Sequence, residues 1–431
     1  MIDERGERPM PTGNRPTVLV MGGGVVGVTQ AYVLLKRGYD VTLIERGGAV
    51  GDFTSKANAG LLSAGCSQPW NAPGVPLTVL KTLTKADAPY LFRLSAFPGV
   101  IPWGLRFLAH CRTVSYDRAS RASLELALYS LDCLRSIADD EDLAFDRQRN
   151  GVLKYFEDEG AYRKEKVNMD AFRSMGLRFR SIDRDELIAL EPTLEPHFDR
   201  IAGGIHFFDD ESGDACRFTK GLAERCEALG AKFLLNTTVE DIRSSNGAIS
   251  GVVTDRGVFS ADQYILSLGP NSGEIARRLR LDVPIYPVKG YSVTIETNGE
   301  IPLPGVPFID WGRKVAVTAF GTRIRAAGTA EFCGHNVVLT DSRLRGLRAS
   351  LMELFPRLNM SMKVQDWAGL RPVTPDGLPI LGASPFDNLF FNTGHGPHGW
   401  GLSCGSAQIV ADLMAGIQPG IDTAAFGYKR P

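Results

Sequence analysis

The sequence predicts an α/β chain in which a Rossmann-like dinucleotide-binding domain is assembled from separated segments, with an inserted α+β domain built on a mixed, mainly antiparallel sheet. Three observations predict it. A glycine-rich turn follows the first strand, helix and strand patterns of the same kind return later in the chain, and the stretch from 284 to 335 alternates strongly with repeated turn signals.

The first element is the run Val18-Leu-Val-Met-Gly-Gly-Gly-Val-Val-Gly27, closed 18 residues later by Glu45 at the end of Asp40-Val-Thr-Leu-Ile-Glu. Thr17 to Met21 reads as a buried parallel strand, and the residues after Gly24 read as a helix ending at Lys36-Arg-Gly38. Gly22 permits the tight turn, Gly24 lets the backbone approach a pyrophosphate, and Gly27 lets helix and strand pack closely. The helix start offers free N–H groups and the positive end of its dipole to that pyrophosphate. Glu45 is spaced to accept hydrogen bonds from an adenosine ribose, and its charge disfavours a 2′-phosphate. Gly-, Asn- and Pro-rich loops follow to Pro76. Residues 115 to 140 carry a helical period, 151–156 a strand, and 158–175 a helix. Phe218 to Leu229 is helical, Ala231 to Asn236 a strand, 249–260 a hairpin, and Gln263 to Gly269 a buried strand. A helix over 341–355, a strand at 388–392 and a last helix from Leu402 to Ala415 complete the reading. The expected layout is a disordered tail over 1–15, a dinucleotide-binding domain from 16–76, 210–272 and 365–431, and a substrate domain from 77–209 and 273–364.

Composition bounds the function. Hydrophobic residues at 44% and charged residues at 23% of 431 are those of a globular protein, and a net charge of −1 gives no footprint for nucleic acid. The seven cysteines show no C-x-x-C pair, which argues against a zinc site or disulfide framework and suits a reducing, cytoplasmic setting. No run approaches the roughly 18 to 20 apolar residues needed to span a bilayer. Leu77 to Cys111 is apolar and aromatic with mostly basic charges, a pattern suited either to a peripheral contact with an anionic membrane or to core helices broken by Pro89, Pro98 and Pro102.

Further motifs carry a family resemblance. Ala57-Asn-Ala-Gly60, Pro69-Trp-Asn-Ala-Pro-Gly-Val-Pro76, Asp209-Asp-Glu-Ser-Gly-Asp214 and Tyr286-Pro-Val-Lys-Gly-Tyr-Ser292 are joined by Gly369-Leu-Arg-Pro-Val-Thr-Pro-Asp-Gly-Leu-Pro379 and Asn392-Thr-Gly-His-Gly396. With these the chain resembles the D-amino-acid-oxidase superfamily of FAD proteins, most closely its bacterial D-amino acid dehydrogenase small-subunit branch. The resemblance covers nearly everything after the tail. It implies noncovalent FAD, oxidation of an α-amino acid to an imine, hydrolysis to a 2-oxo acid and ammonia, and electron delivery to a membrane quinone or other acceptor.

The resemblance also implies site residues. Arg371 is the candidate anchor for the substrate carboxylate, a planar group that a guanidinium binds through two parallel hydrogen bonds. Ala59, Gly60 and Leu61, with Asn58 ahead of them, run along the flavin. Val239 offers its backbone to the adenine. Val25, Val26, Arg46 and Gly269 are further cofactor candidates, and Gly399, Trp400 and Gly401 open a helix toward the flavin's pyrimidine edge. Tyr291 is a candidate for lining the substrate pocket. His395 and His398 have the spacing of a metal pair but no third ligand nearby, so no metal is assigned. Pro397-His398 and Leu61-Leu-Ser-Ala-Gly-Cys66 depart from the branch's usual residues, which makes His398 a candidate for tuning substrate choice. The competing readings are an FAD-dependent dehydrogenase or oxidase of a small or secondary amine (hydroxy-D-proline, D-proline, sarcosine, glycine), or a flavin subunit of a larger complex.

Overall fold

The computed structural model describes residues 15–82, 90–93, 96–97, 99–358 and 362–430; the tail ahead of Arg15, and Lys85, Pro89 and Pro98, lie outside the described residues. Two large sheets organise the chain. The first runs Ile380–Ala383, Leu389–Thr393, Gln263–Leu266, Thr17–Met21, Asp40–Ile44, Lys232–Leu234, all parallel except the first strand. Its apolar runs follow from burial on both faces. Val18 and Val20 face helices Val25–Lys36, Ala215–Ala228 and Gly399–Met414, while Leu19 and Met21 face a small antiparallel sheet and helix Ser272–Arg278. Helix Thr113–Asp140 packs onto Gly399–Met414 at Gly405, whose N–H donates to Ser130 Oγ at 3.0 Å.

The second sheet orders Val364–Val373, Tyr286–Glu296, Arg323–Phe332, Val315–Phe320, Phe308–Asp310, Val152–Phe156, Gly203–Phe207 and Arg180–Ile182, with Tyr90–Phe92 beside the end of Arg323–Phe332. Helix Asp341–Leu354 covers one face through Leu344, Leu347 and Leu351, each worth about 1.5–3 kcal/mol when fully buried. The other face looks toward the parallel sheet and floors a cavity between the two.

Several expectations are corrected. The boundary at 364/365 cuts through strand Val364–Val373, which pairs along its whole length with Tyr286–Glu296, and the boundary at 272/273 cuts through a helix packed on the parallel sheet. The expected hairpin is a three-stranded sheet; strand Val239–Ser245 buries only Ile242 and so shows no alternation to read. Helix Ala215–Ala228 starts earlier than Phe218 because Asp214 caps it, accepting from Cys216 N and Arg217 N. The final helix begins at Gly399 rather than Leu402, directly after the turn Gly396–His398. Pro102 sits in the first turn of helix Val100–His110, where a missing N–H costs nothing, and does not break it.

Candidate active site

A cavity of about 1730 Å³ runs between the two sheets, larger than the roughly 300–1,000 Å³ of an ordinary ligand pocket. At one end lies the first βαβ turn. Gly22 adopts φ +112° and donates to Ile44 O at 2.9 Å, and a Cβ there would meet Ser267 O at 2.5 Å. Gly27 does not line the cavity; its Cβ would fall 1.8 Å from Gly22 O, so it serves helix–strand packing. Gly24 differs. A Cβ there would meet only Ser55 Oγ, at 3.5 Å, so protein packing does not require glycine and its open side is turned to the cavity. Helix Val25–Lys36 has no side-chain cap, although Val25 N donates to Ser55 Oγ at 3.0 Å. These features fit a dinucleotide's pyrophosphate.

Glu45 is buried and accepts from Gly23 N at 2.7 Å and Gly47 N at 2.8 Å, which pins the carboxylate at the cavity wall. Arg46 lies over the Phe53 ring, and Val25, Val26, Val239 and Gly269 also line this part. The segment Ala57–Leu61 is held from the second sheet. Ser292 Oγ donates to Ala57 O at 2.7 Å, Arg325 Nη1 to Asn58 O at 3.0 Å, and Thr318 Oγ1 to Ala59 O at 2.8 Å. Gly60 at φ +76° passes so close to Phe320 that a Cβ would lie 2.3 Å from its ring. Ser292, Thr318 and Arg325 were not legible as site residues, because nothing local in the sequence marks them. Gly399, Trp400 and Gly401 form the first turn of the last helix and face the same cavity.

Arg371 stands at the other end, on strand Val364–Val373. Its guanidinium fills the place where a Cβ on Gly290 would sit, and Nη1 donates to Thr329 O at 3.0 Å. Trp70 lies 5.5 Å away, and no carboxylate pairs with Arg371 among the described residues. Burial draws its pKa down to about 10, with Tyr90 opposing, so it stays charged at neutral pH. A desolvated cation without a counter-ion in a cavity is built for an anion.

His398 lines this end as a neutral imidazole. Burial pulls its pKa down to about 4 against a hydrogen bond with the Gln68 backbone, the charge of Arg371 adds to the fall, and Nε2 has no partner. His395 is likewise neutral, held at about 3 by burial, and pairs with Ser406 Oγ. Tyr291 also borders the cavity, but its phenol is engaged elsewhere. It alternates with Gly290 along the strand, so its ring turns to the face opposite Arg371, where the phenol donates to Glu331 and lies 3.0 Å from Thr340 Oγ1. Beside it Lys289 is 3.6 Å from Glu331, which also accepts from Arg93 Nε at 2.6 Å. This is a buried polar network behind the sheet.

Thr329 was missed entirely. It sits at φ +61°, a conformation that costs a non-glycine residue about 1–2 kcal/mol, and it is the β-branched member of the described non-glycine residues at positive φ.

Asp210 braces the wall at Ser63–Cys66, accepting from Ser63 Oγ, Ala64 N and Gly65 N. Burial raises its pKa from 3.8 to about 7 against those bonds. The folded state therefore keeps a proton that the unfolded chain releases, so this contribution to stability is full below about pH 4 and is lost as pH rises through about 7, on the order of a few kcal/mol. His395 and His398, depressed in the folded state, act in the opposite sense, so the informative quantity is a difference. Asp210→Asn should gain in melting temperature relative to wild type as pH is raised from about 5 to 8; a difference independent of pH contradicts the assignment.

Residues 17–413 match the family described as FAD dependent oxidoreductase. The chain is similar to a D-amino acid dehydrogenase of Bradyrhizobium diazoefficiens, 39% identical over 413 residues covering 96% of this chain and 98% of that one. It is equally similar, at 39%, to a D-amino acid dehydrogenase of Agrobacterium fabrum, covering 96% and 99%. Among solved structures, glycine oxidase from Geobacillus kaustophilus shares the fold with a TM-score of 0.74 at 23% identity, covering 97% of this chain and 100% of that one.

Proposed function

Since the chain belongs to the DAO family of FAD-dependent oxidoreductases and its cofactor is FAD, we propose that it oxidatively deaminates D-amino acids to 2-oxo acids and ammonia, passing the electrons to a quinone or another acceptor. The observation that carries this reading is Arg371, a half-buried cation with no ion-pair partner among the described residues, in the same cavity as a glycine-rich helix start without a side-chain cap. FAD, held noncovalently, supplies the electron sink. The protein's part is grip and orientation. Arg371 takes the α-carboxylate, His398 borders the same end uncharged, Glu45 takes the ribose, and Val239 offers its backbone to the adenine. The helix starts at Gly24 and Gly399 present N–H groups to the pyrophosphate and the pyrimidine edge.

The test is flavin bleaching without oxygen across D-, L- and N-methyl amino acids. Bleaching by D-amino acids and not by their L-enantiomers is expected. Bleaching confined to glycine, sarcosine or D-proline would move the chain to the small-amine reading, and no bleaching by any amine would remove both.

We place the acceptor side of this function at a membrane surface on the cytoplasmic face. No helix among the described residues is long and apolar enough to cross a bilayer. Helix Val100–His110, however, is apolar on two faces. Val100, Trp103 and Phe107 pack with Tyr286 and Phe332, while Ile101, Leu105 and Leu108 are exposed, and Phe97 and Leu77 are exposed nearby in sequence. Between Gln68 and Tyr116 the sequence holds one acidic residue, Asp87, against five basic ones, Lys81, Lys85, Arg93, Arg106 and Arg112, a balance that suits anionic lipid. The protein should sediment with phosphatidylglycerol vesicles and not with phosphatidylcholine, and Leu105→Asp should weaken this about tenfold with the flavin spectrum unchanged. Sedimentation with neither would remove the membrane contact, and a dimer lost in Leu105→Asp would give this face to a second copy.

A further inference from the structure

The geometry points to Thr329 as a positioning residue for Arg371: its left-handed backbone turns a carbonyl out of the sheet ladder and onto the guanidinium, fixing the direction in which the remaining N–H groups are offered. The pairing of Tyr286–Glu296 with Arg323–Phe332 runs regularly up to Tyr291 opposite Gly328, and resumes with Lys289 opposite Glu331. Thr329 and Ala330 therefore both stand opposite Gly290, which is a β-bulge. On the outer side the same place marks a change of partner, from Val315 beside Gly328 to Tyr90 beside Ala330. Thr329 has no register partner in any of these ladders. Its carbonyl accepts instead from Arg371 Nη1 at 3.0 Å, while the guanidinium lies over Gly290 on the opposite strand.

The first residue of such a bulge is cheapest as glycine, yet here it is threonine, with a hydroxyl that is buried and unpartnered. A strained residue kept without a bond to its own side chain is held for what its backbone does. The consequence is a guanidinium anchored at one nitrogen by a neutral acceptor. A carboxylate partner would have cancelled its charge; a carbonyl fixes it and leaves the charge for a ligand.

This rests on Arg371 being the carboxylate anchor, and the test separates the two. In the flavin-bound protein, benzoate binding is read from the flavin absorbance, beside KM and kcat for D-alanine. Thr329→Gly, which takes positive φ without strain, should keep KM and the benzoate Kd within about twofold of wild type. Thr329→Val, equally β-branched and lacking only the unpartnered hydroxyl, should likewise keep both within about twofold. Thr329→Pro, which cannot take positive φ, should raise them about tenfold or more, with kcat changed less than about threefold throughout. A loss confined to the proline variant is the result expected, and if that variant does not fold, deletion of Thr329, which removes the bulge and its carbonyl, should give the same loss. Equal loss in glycine and valine would assign the effect to the hydroxyl and overturn the proposal, as would a flat series. If Arg371→Leu also leaves benzoate binding unchanged, the anchor reading itself has failed; if Arg371→Leu abolishes it while the Thr329 series is flat, only the positioning role has.

Discussion

Arg371→Leu should lower kcat/KM for a D-amino acid by about two to three orders of magnitude while the protein keeps its flavin. The size follows from desolvation. Arg371 is drawn below its ordinary pKa by burial and has no ion-pair partner among the described residues, so nothing but a ligand balances its charge. Removing the guanidinium leaves the incoming carboxylate equally unbalanced in a cavity walled by Trp70 and Tyr90, and truncating one member of a buried charge pair costs about 2–5 kcal/mol. Arg371→Lys should recover part of the loss, since an ammonium restores charge without the two parallel donors. The flavin is expected to stay because its glycine cradle is at the opposite end of the cavity. Steady-state kinetics with the flavin absorbance as a control checks all three points. Unchanged turnover and affinity at full flavin content would mean that the carboxylate is gripped elsewhere.

Arg371 was reached only through the family resemblance that Gly369-Leu-Arg-Pro372 helps to carry, whereas the glycine-rich turn was legible by itself because strand, turn, helix, second strand and acid follow each other within thirty residues. What was not legible is long-range. Ser292, Thr318 and Arg325 hold Ala57 to Ala59 across sequence separations of 235 to 267 residues, and only the packing of the two sheets brings them together. Tyr291 shows a different limit. Alternation correctly separates Gly290 from Tyr291, but it does not say which face of a sheet buried on both sides carries the cavity. Thr329 is hidden for a third reason: in Arg325-Ala-Ala-Gly-Thr-Ala-Glu331 a β-branched residue is the last one that sequence reasoning would place at positive φ. Strand Val239–Ser245 escaped because its exposed polar residues imitate a loop.

The most damaging single methyl group should be the one added by Gly27→Ala, and its contrast with Gly24→Ala tests how the cofactor end is built. At Gly27 the new Cβ would lie 1.8 Å from Gly22 O and 3.0 Å from Ser267 Oγ. Gly22 cannot yield, since its own turn is fixed by the bond to Ile44 O and by the backbone of Ser267. Helix Val25–Lys36 must instead lift off the strand, disturbing its buried contacts, so a destabilisation above about 3 kcal/mol is expected together with loss of FAD. At Gly24 the Cβ would meet only Ser55 Oγ at 3.5 Å, an ordinary contact. The protein itself should therefore tolerate Gly24→Ala, with a melting temperature for the flavin-free form close to wild type, while FAD affinity falls about tenfold or more because the methyl group enters the space of the pyrophosphate. Melting curves of the flavin-free proteins and FAD titrations separate the two cases. If Gly24→Ala bound FAD as tightly as wild type, the pyrophosphate would not lie against this turn, and the cradle would have to be sought along another wall of the cavity.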